Sequence, residues 1–333
     1  MIKKHCNIPI FIPELACPHQ CVFCNQEKIS NTFSIPKPHE IHTTIEEHLG
    51  TISNDKEINI AFFGGSFTGI PREQMLAYLE ATKYYIASGQ VQGIRISTRP
   101  DYISEELLDL LQPYHVTAIE LGAQSTNDKV LTKSGRGHNY EAIKKAAQSI
   151  KKRNIELGLQ MMIGLPHDTI ELSMQTARDI IQLQADSTRI YPTLVIKDTA
   201  LEKLYHAGKY QVLSLEQAIN WSKEILKIFN ETNIKILRLG LHPSEELTLG
   251  KSLVAGPFHP SFKEMVLSAL WKDLLEAKLE KTGKYTVHVA QNQLNYAIGY
   301  QRINRLAFQK KNYDIQFKVD QSISNFDFYV RHH

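Results

Sequence analysis

The stretch INIAFFGG, residues 58–65, is an apolar run that stops abruptly on a glycine pair. It is too short for a typical helix and shows no polar alternation, so it reads as a strand buried on both faces. A helical pattern follows from Arg72 to Ala87, and the unit then repeats. GIRISTRPD (93–101) precedes SEELLDLL (104–111), where Ser104 is placed to cap the helix and Glu105 and Glu106 to sit in its first turn. VTAIELGAQS (116–125) precedes a helix over 139–152, and IELGLQMMIGLP (155–166) a helix over 169–183. STRIYPTLVI (187–196) leads into helical stretches at 198–206 and 214–230, and IKILRLGL (234–241) is a further strand. Apolar strands alternating with helices mean a parallel sheet covered by helices. With no dinucleotide-type glycine fingerprint, the series predicts an α/β fold of the TIM type, a partial (β/α)6 barrel. Chemistry in such barrels gathers at the C-terminal ends of strands, which here read CPHQC, GGSFT, STRPD, GAQS, GLPHD and YPTLV.

The bulk composition excludes little. The chain has 333 residues, a net charge of +3, 42% hydrophobic and 22% charged residues, all ordinary for a globular protein. No apolar run approaches the roughly 20 residues of a membrane helix. The N-terminal MIKKHCNIPIFIPELA is interrupted by Pro9, Pro13 and Glu14, so it reads as a first strand in a cytoplasmic protein with no membrane partner. Composition shifts near residue 255, giving two expected domains, 1–255 and 256–333. The second is a small α+β unit: a helix at 263–281, a strand at 284–290, two helices within 291–311 broken at Gly299, and strands at 314–320 and 325–330. From Lys281 to Tyr313 it carries six basic residues (Lys281, Lys284, Arg302, Arg305, Lys310, Lys311) and no acidic one.

LACPHQCVFCNQ (15–26) holds Cys17, Cys21 and Cys24, three of the four cysteines. All four lie near the N-terminus, so disulfides would leave the rest of the chain unstapled, and a metal or redox role fits better. A four-iron cube usually takes four thiolates, so three leave one iron open. Structural zinc, which wants four ligands, is the competing reading, with His5, Cys6 or His19 completing the set.

The C-x-x-x-C-x-x-C spacing after a first strand resembles the radical S-adenosylmethionine (SAM) superfamily. The resemblance implies a barrel of radical SAM type with a 4Fe-4S cluster on Cys17, Cys21 and Cys24. It implies SAM on the open iron, cleaved on reduction to a 5′-deoxyadenosyl radical, and hence an electron donor such as flavodoxin or ferredoxin. Phe23 matches the aromatic that packs near the adenosine. FFGGSF (62–67) matches the glycine-rich motif, implying contacts from Gly64, Gly65 and Ser66, although GGS departs from the more usual GGE. STRPD implies Ser97 and Arg99, GAQS implies Gln124 and Ser125, and MIGLP places Ile163 along the adenine.

STRPD, LGAQS, KSGRGH (133–138), MIGLP and YPTLVIKDTALEKLYHAGKY (191–210) further resemble the radical SAM part of the elongator catalytic subunit, from about residue 8 to about 245. Those proteins use SAM and acetyl-CoA to modify the wobble uridine of transfer RNA. Fewer than a hundred residues follow here, so an acetyltransferase domain is not expected. The C-terminal order of strand, helix, IGYQR turn, helix, strand, strand resembles a KH-type RNA-binding fold, with Arg302 where the second loop glycine would stand. Together these imply an RNA substrate, transfer RNA. Two other readings stay open: a radical SAM enzyme acting on a small molecule with the C-terminal unit as a lid, and a zinc-stabilised RNA-binding protein without catalysis. Arg189, Tyr191 and Arg238 are expected near the barrel mouth, where a substrate could bind, or in buried salt bridges, and His242 and His259 at the active-site mouth or docking the C-terminal unit.

Overall fold

The apolar runs form strands because nearly every residue in them is buried, and each is returned to the same edge by a helix. The structure, a computed structural model, describes residues 4–13, 21–25, 35–53, 55–242, 247 and 250–333. Strands β1 (Lys4–Ile12), β2 (Lys56–Gly64), β3 (Gly93–Thr98), β4 (Val116–Gln124), β5 (Glu156–Ile163) and β6 (Ser187–Pro192) lie side by side in sequence order. After the short β7 (Val195–Ile196), β8 (Lys235–Leu239) completes the sheet beside β6. All neighbours in this seven-stranded sheet are parallel. It curls into a half-barrel of the expected type.

The crossovers are α1 (Pro38–Leu49), α2 (Arg72–Glu80) with α3 (Lys83–Ala87), α4 (Glu105–Leu111), α5 (Asp128–Lys133) with α6 (Tyr140–Lys152), α7 (Ile170–Gln182), and α8 (Ala200–His206) with α9 (Leu215–Asn230). Ser104, Asn127, Asn139, Thr169, Thr199 and Ser214 each accept a hydrogen bond from an N–H of the first turn they precede. These caps satisfy orphan donors just where strands hand over to helices. The helix expected over 72–87 is broken, because the chain turns at Ala81–Thr82 and Thr82 Oγ1 donates back to the Leu79 carbonyl. The strand expected over 187–196 also divides. After Pro192 the chain leaves the sheet, and β7 pairs antiparallel with β9 (Leu253–Ala255).

Beyond β9 come α10 (Phe262–Lys278), β10 (Gly283–Val289), α11 (Leu294–Ile298), α12 (Ile303–Lys310), β11 (Tyr313–Val319) and β12 (Phe328–His332). The last strand begins at Phe328, since a turn from Ser324 to Asp327 occupies the start of the expected segment. In this second sheet β10 lies between β11, to which it is parallel, and antiparallel β12. Helix α10 serves two cores. Phe262, Val266, Leu267 and Leu270 face the barrel, while Trp271 and Leu275 join Val287, Phe308 and Ile315 under the small sheet.

A chain of charges runs across the inside of the half-barrel. Arg95 donates to Glu120 at 3.2 Å and to both carboxylate oxygens of Glu156 at 2.8–2.9 Å, and Arg189 forks onto Glu120 at 2.5 and 3.0 Å. Burial works against the charge on Arg189, but the hydrogen bonds and charge of Glu120 more than offset it, so the guanidinium is held protonated. Removing one partner of such a set strands a buried charge. Gly158 makes the room: a Cβ there would lie 2.8 Å from Glu120 Cγ and 3.2 Å from Ser187 Oγ. Because two arginines hold Glu120, it cannot step aside. Gly158→Ala is therefore expected to lower unfolding free energy by about 1–3 kcal/mol, as overpacking does. Chemical denaturation measures this; an unchanged midpoint would mean that Glu120 is free to move.

Candidate functional site

The C-terminal ends of the strands open into a cavity of about 260 Å³. Cys21, Phe23 and Cys24 line one side, Gly64, Gly65 and Ser66 another, with Ser97, Arg99, Gln124 and Arg136 between them. Sequence positions from three strand ends and the cysteine loop thus converge. Cys17 and His19 lie outside the described residues.

The cysteine loop is clamped from two directions. Within it, the Cys24 N–H donates to the Cys21 carbonyl at 3.0 Å, a turn that presents both thiols to the cavity. The Val22 N–H donates to the Ser134 carbonyl at 3.0 Å, and the Leu201 N–H to the Val22 carbonyl at 2.7 Å. Phe23 packs with Val22 on the small cluster of Val195, Leu201 and Tyr210.

Arg136 is the centre of the constellation. Its side chain donates to Cys21 Sγ at 3.1 Å and to the Gly122 carbonyl at 2.6 Å. Its own carbonyl accepts from Arg99, whose guanidinium is also paired with Asp101 at 2.8 Å. One residue therefore ties the cysteine loop, the end of β4 and the end of β3 together. A buried guanidinium on the Cys21 sulfur suits an anionic, thiolate-ligated group, because it offsets negative charge gathered in a low-dielectric site. The donor set and the glycine-edged rim beside it fit a sulfur-ligated cofactor.

Gly64, at φ +113°, stands where a Cβ would meet the Ile12 carbonyl oxygen at 2.2 Å. Its lack of a side chain lets the ends of β1 and β2 converge, a structural need in addition to any ligand contact. Ser66 is buried, with its hydroxyl 2.9 Å from Thr98 Oγ1 and accepting from the Arg99 N–H at 3.0 Å, so it braces β2 against β3. Gln124 accepts from Gln160 at 3.2 Å. Ser125 and Ile163 are not among the cavity-lining residues. Gln124 has φ +66°, which turns the chain away, and Ser125 then accepts from the Asn127 N–H at 3.2 Å and faces Thr176 on α7. Ile163 is fully buried, and its carbonyl accepts both the N–H and the hydroxyl of Thr193.

Sequence reasoning assigned no site role to Arg136, Glu120, Gln160 or Met162, which also line the cavity, and it placed Tyr191 only near the mouth. A buried acid inside an otherwise apolar strand, Glu120 in TAIELGA, was the available signal. For Arg136 the signal was a cation between two glycines in KSGRGH.

His138 underlies this cluster. Its side chain is fully buried, 3.7 Å from Asp101. Burial, helped by the Arg136 and Arg99 charges and opposed by Asp101, pushes the imidazole down to about 4. The folded state therefore keeps His138 neutral while the unfolded chain protonates near 6.5, so stability present above 6.5 is lost as pH falls toward 4. The loss is on the order of 3 kcal/mol. His138→Gln should flatten this part of the acid limb, read as the difference between wild-type and variant denaturation curves across that window. Parallel curves would contradict it.

Comparison with known proteins bears on the same residues. Residues 12–180 match the radical SAM superfamily, and residues 185–272 match a radical SAM C-terminal domain. An uncharacterized protein of Methanocaldococcus jannaschii is 32% identical over 231 residues, 66% of this chain and 70% of that one. A tRNA uridine(34) acetyltransferase of Methanocaldococcus infernus is 32% identical over 137 residues, 39% of this chain but 26% of that protein's length. Among solved structures, the archaeal Elp3 of Methanocaldococcus infernus aligns with a TM-score of 0.65 at 21% identity, covering 83% of this chain and 64% of that one, a likeness of fold. Half of the chain thus matches one family, and the chain is an enzyme of the radical SAM superfamily, whose members use a 4Fe-4S cluster and SAM.

Proposed function

We propose that this radical SAM enzyme modifies RNA, with transfer RNA as the substrate. The observation that carries its radical SAM chemistry is the convergence of Cys21 and Cys24 on one cavity with the GGS, STR and GAQ strand ends. In this reading Cys17, Cys21 and Cys24 hold the cluster, and Phe23, Gly64, Gly65, Ser66, Ser97, Arg99 and Gln124 surround SAM. When bound and reduced, the cluster supplies the electron that cleaves SAM. The chain's own residues orient and shield. Arg136 fixes the Cys21 sulfur, Arg99 and Asp101 fix Arg136, and the apolar wall of Met162, Leu194 and Ile196 limits water.

The RNA part of the reading rests on similarity to a protein named for transfer-RNA uridine modification, of which this chain spans about a quarter. It draws support from the C-terminal unit, read as residues 256–333 following a barrel of residues 1–255. There two short helices flank the loop Gly299–Arg302 between parallel strands β10 and β11. Arg302, at φ +64°, takes a left-handed position that glycine would hold at lower cost, which fits the KH-like reading. No described helix is long and apolar enough to cross a membrane. A cytoplasmic site of action and a flavodoxin or ferredoxin donor complete the proposal.

The test is anaerobic reconstitution with iron and sulfide, reduction in the presence of SAM, and chromatography for 5′-deoxyadenosine. The expected result is nucleoside formation that falls to background in Cys21→Ala and rises when transfer RNA is added. Formation that ignores transfer RNA but responds to a small molecule would overturn the RNA assignment. A second prediction concerns Arg136. Replacing it with Gln removes a positive charge and an N–H from the cluster sulfur, so the reduction potential should fall, read by EPR-monitored titration. An unchanged potential would show that Arg136 acts on the loop alone.

A further inference from the structure

The half-barrel has an open side, and what lies along it is chemically distinctive. Among the described residues β8 pairs with β6 alone, leaving its other edge unpaired. Between that edge and the C-terminal unit runs a groove of about 1030 Å³, several times the volume of the cavity. Leu241 lines both, so the groove and the cavity that Cys21 and Cys24 line adjoin at that side chain.

The groove is cationic. Among the described residues, Lys235, Arg238 and Lys263 line it against one acid, Glu264. Arg238 is in register with Arg189, so both side chains lie on the inner face of the sheet. Arg95 and Arg189 on that face are paired with carboxylates, whereas Arg238, half-buried, has no hydrogen bond or ion pair among the described residues. A half-buried guanidinium left without an acceptor is poised for an anionic one from a ligand. Tyr296 and Phe326 add aromatic surface on the C-terminal side, and the remaining wall is mostly apolar, with Asn and Gln interspersed.

Charge is also unevenly divided along the chain. Residues 256–333 carry eleven Lys and Arg against seven Asp and Glu, while residues 1–255 carry 27 against 28. The net positive charge thus belongs to the unit that forms the groove's outer wall. Pro260 lines the groove next to His259, whose ring meets Tyr300 edge-on at 5.7 Å. Tyr300 opens the exposed segment that carries Arg302 and Arg305.

We propose that this groove guides a single-stranded stretch of RNA from the C-terminal unit to the cavity, with phosphates on Lys235, Arg238 and Lys263 and bases beside Tyr296 and Phe326. The inference rests on the RNA reading above and assigns it a path. Phosphates spaced along a strand match cations spaced along a groove, and aromatic faces take bases without sequence preference. An extended peptide adding to the β8 edge is the rival occupant. Three cations and a register shift between Thr188 and Arg189 on the neighbouring strand disfavour it.

The experiment is fluorescence anisotropy of end-labelled, unfractionated transfer RNA with the full chain over a range of salt. In Arg238→Ala/Lys263→Ala affinity should fall, and the slope of log affinity against log salt should shrink by about 0.7 for each single-strand phosphate no longer neutralised. Arg238→Lys should restore the slope. Lys144→Ala/Lys145→Ala, on α6 away from the groove, should bind as wild type does, with thermal melts confirming that all variants fold. Wild-type binding with unaltered affinity and slope in the groove variants would overturn the groove while leaving the RNA reading intact. Failure of the wild type to bind transfer RNA would overturn the RNA reading itself. Equal displacement by polyglutamate would show selection of charge alone and defeat the assignment to RNA.

Discussion

The contact between the Arg136 guanidinium and the Cys21 sulfur joins parts of the chain 115 residues apart, and the organisation of the cavity depends on it. A parallel barrel delivers its strands to one rim but leaves the loops beyond them unspecified. Here one side chain fastens the cysteine loop to the end of β4, and its backbone carbonyl fastens Arg99 at the end of β3. The arrangement is favourable because the cation is buried beside acceptors that carry or share negative charge. Without a sulfur-ligated group such a guanidinium would be a costly feature to bury, which is why it reads as part of the site.

Below the rim the same logic runs in the opposite direction. Arg95, Glu120, Glu156 and Arg189 cancel one another inside the half-barrel, so the floor is polar yet electrostatically quiet. Glu120 reaches the cavity already occupied by two guanidiniums. At the open edge of the sheet two cations on this face, Arg238 and Lys235, stand without such a partner among the described residues. Closed charge pairs within and open cations at the gap distinguish the floor of the site from its approach.

Much of this was legible in the sequence because local and long-range signals agreed. Apolar runs longer than one face of a sheet requires, each ending on small or polar residues, define a parallel sheet, and the cap at Ser104 defines where one of its helices begins. What was not legible depended on where a chain turns in space. Gln124 takes a left-handed backbone, which sends Ser125 out of the rim where its motif would place it. Pro192 ends a strand whose apolar character continues without a break, and the chain leaves the sheet there. Arg136 was visible as a residue but not as a contact, since its partner sits in a loop fixed by packing rather than by any local pattern. The groove along β8 exists because two units meet, and sequence pattern within either one does not describe it.

The central claim is that the cavity beside Arg136 holds a cluster with an iron open to SAM. The most direct measurement is the EPR spectrum of the reconstituted, reduced protein recorded with and without SAM. The account predicts a 4Fe-4S signal whose g-values and line shape change when SAM is added, because SAM takes the open coordination site. A cluster signal indifferent to SAM, or a colourless protein containing zinc, would contradict it.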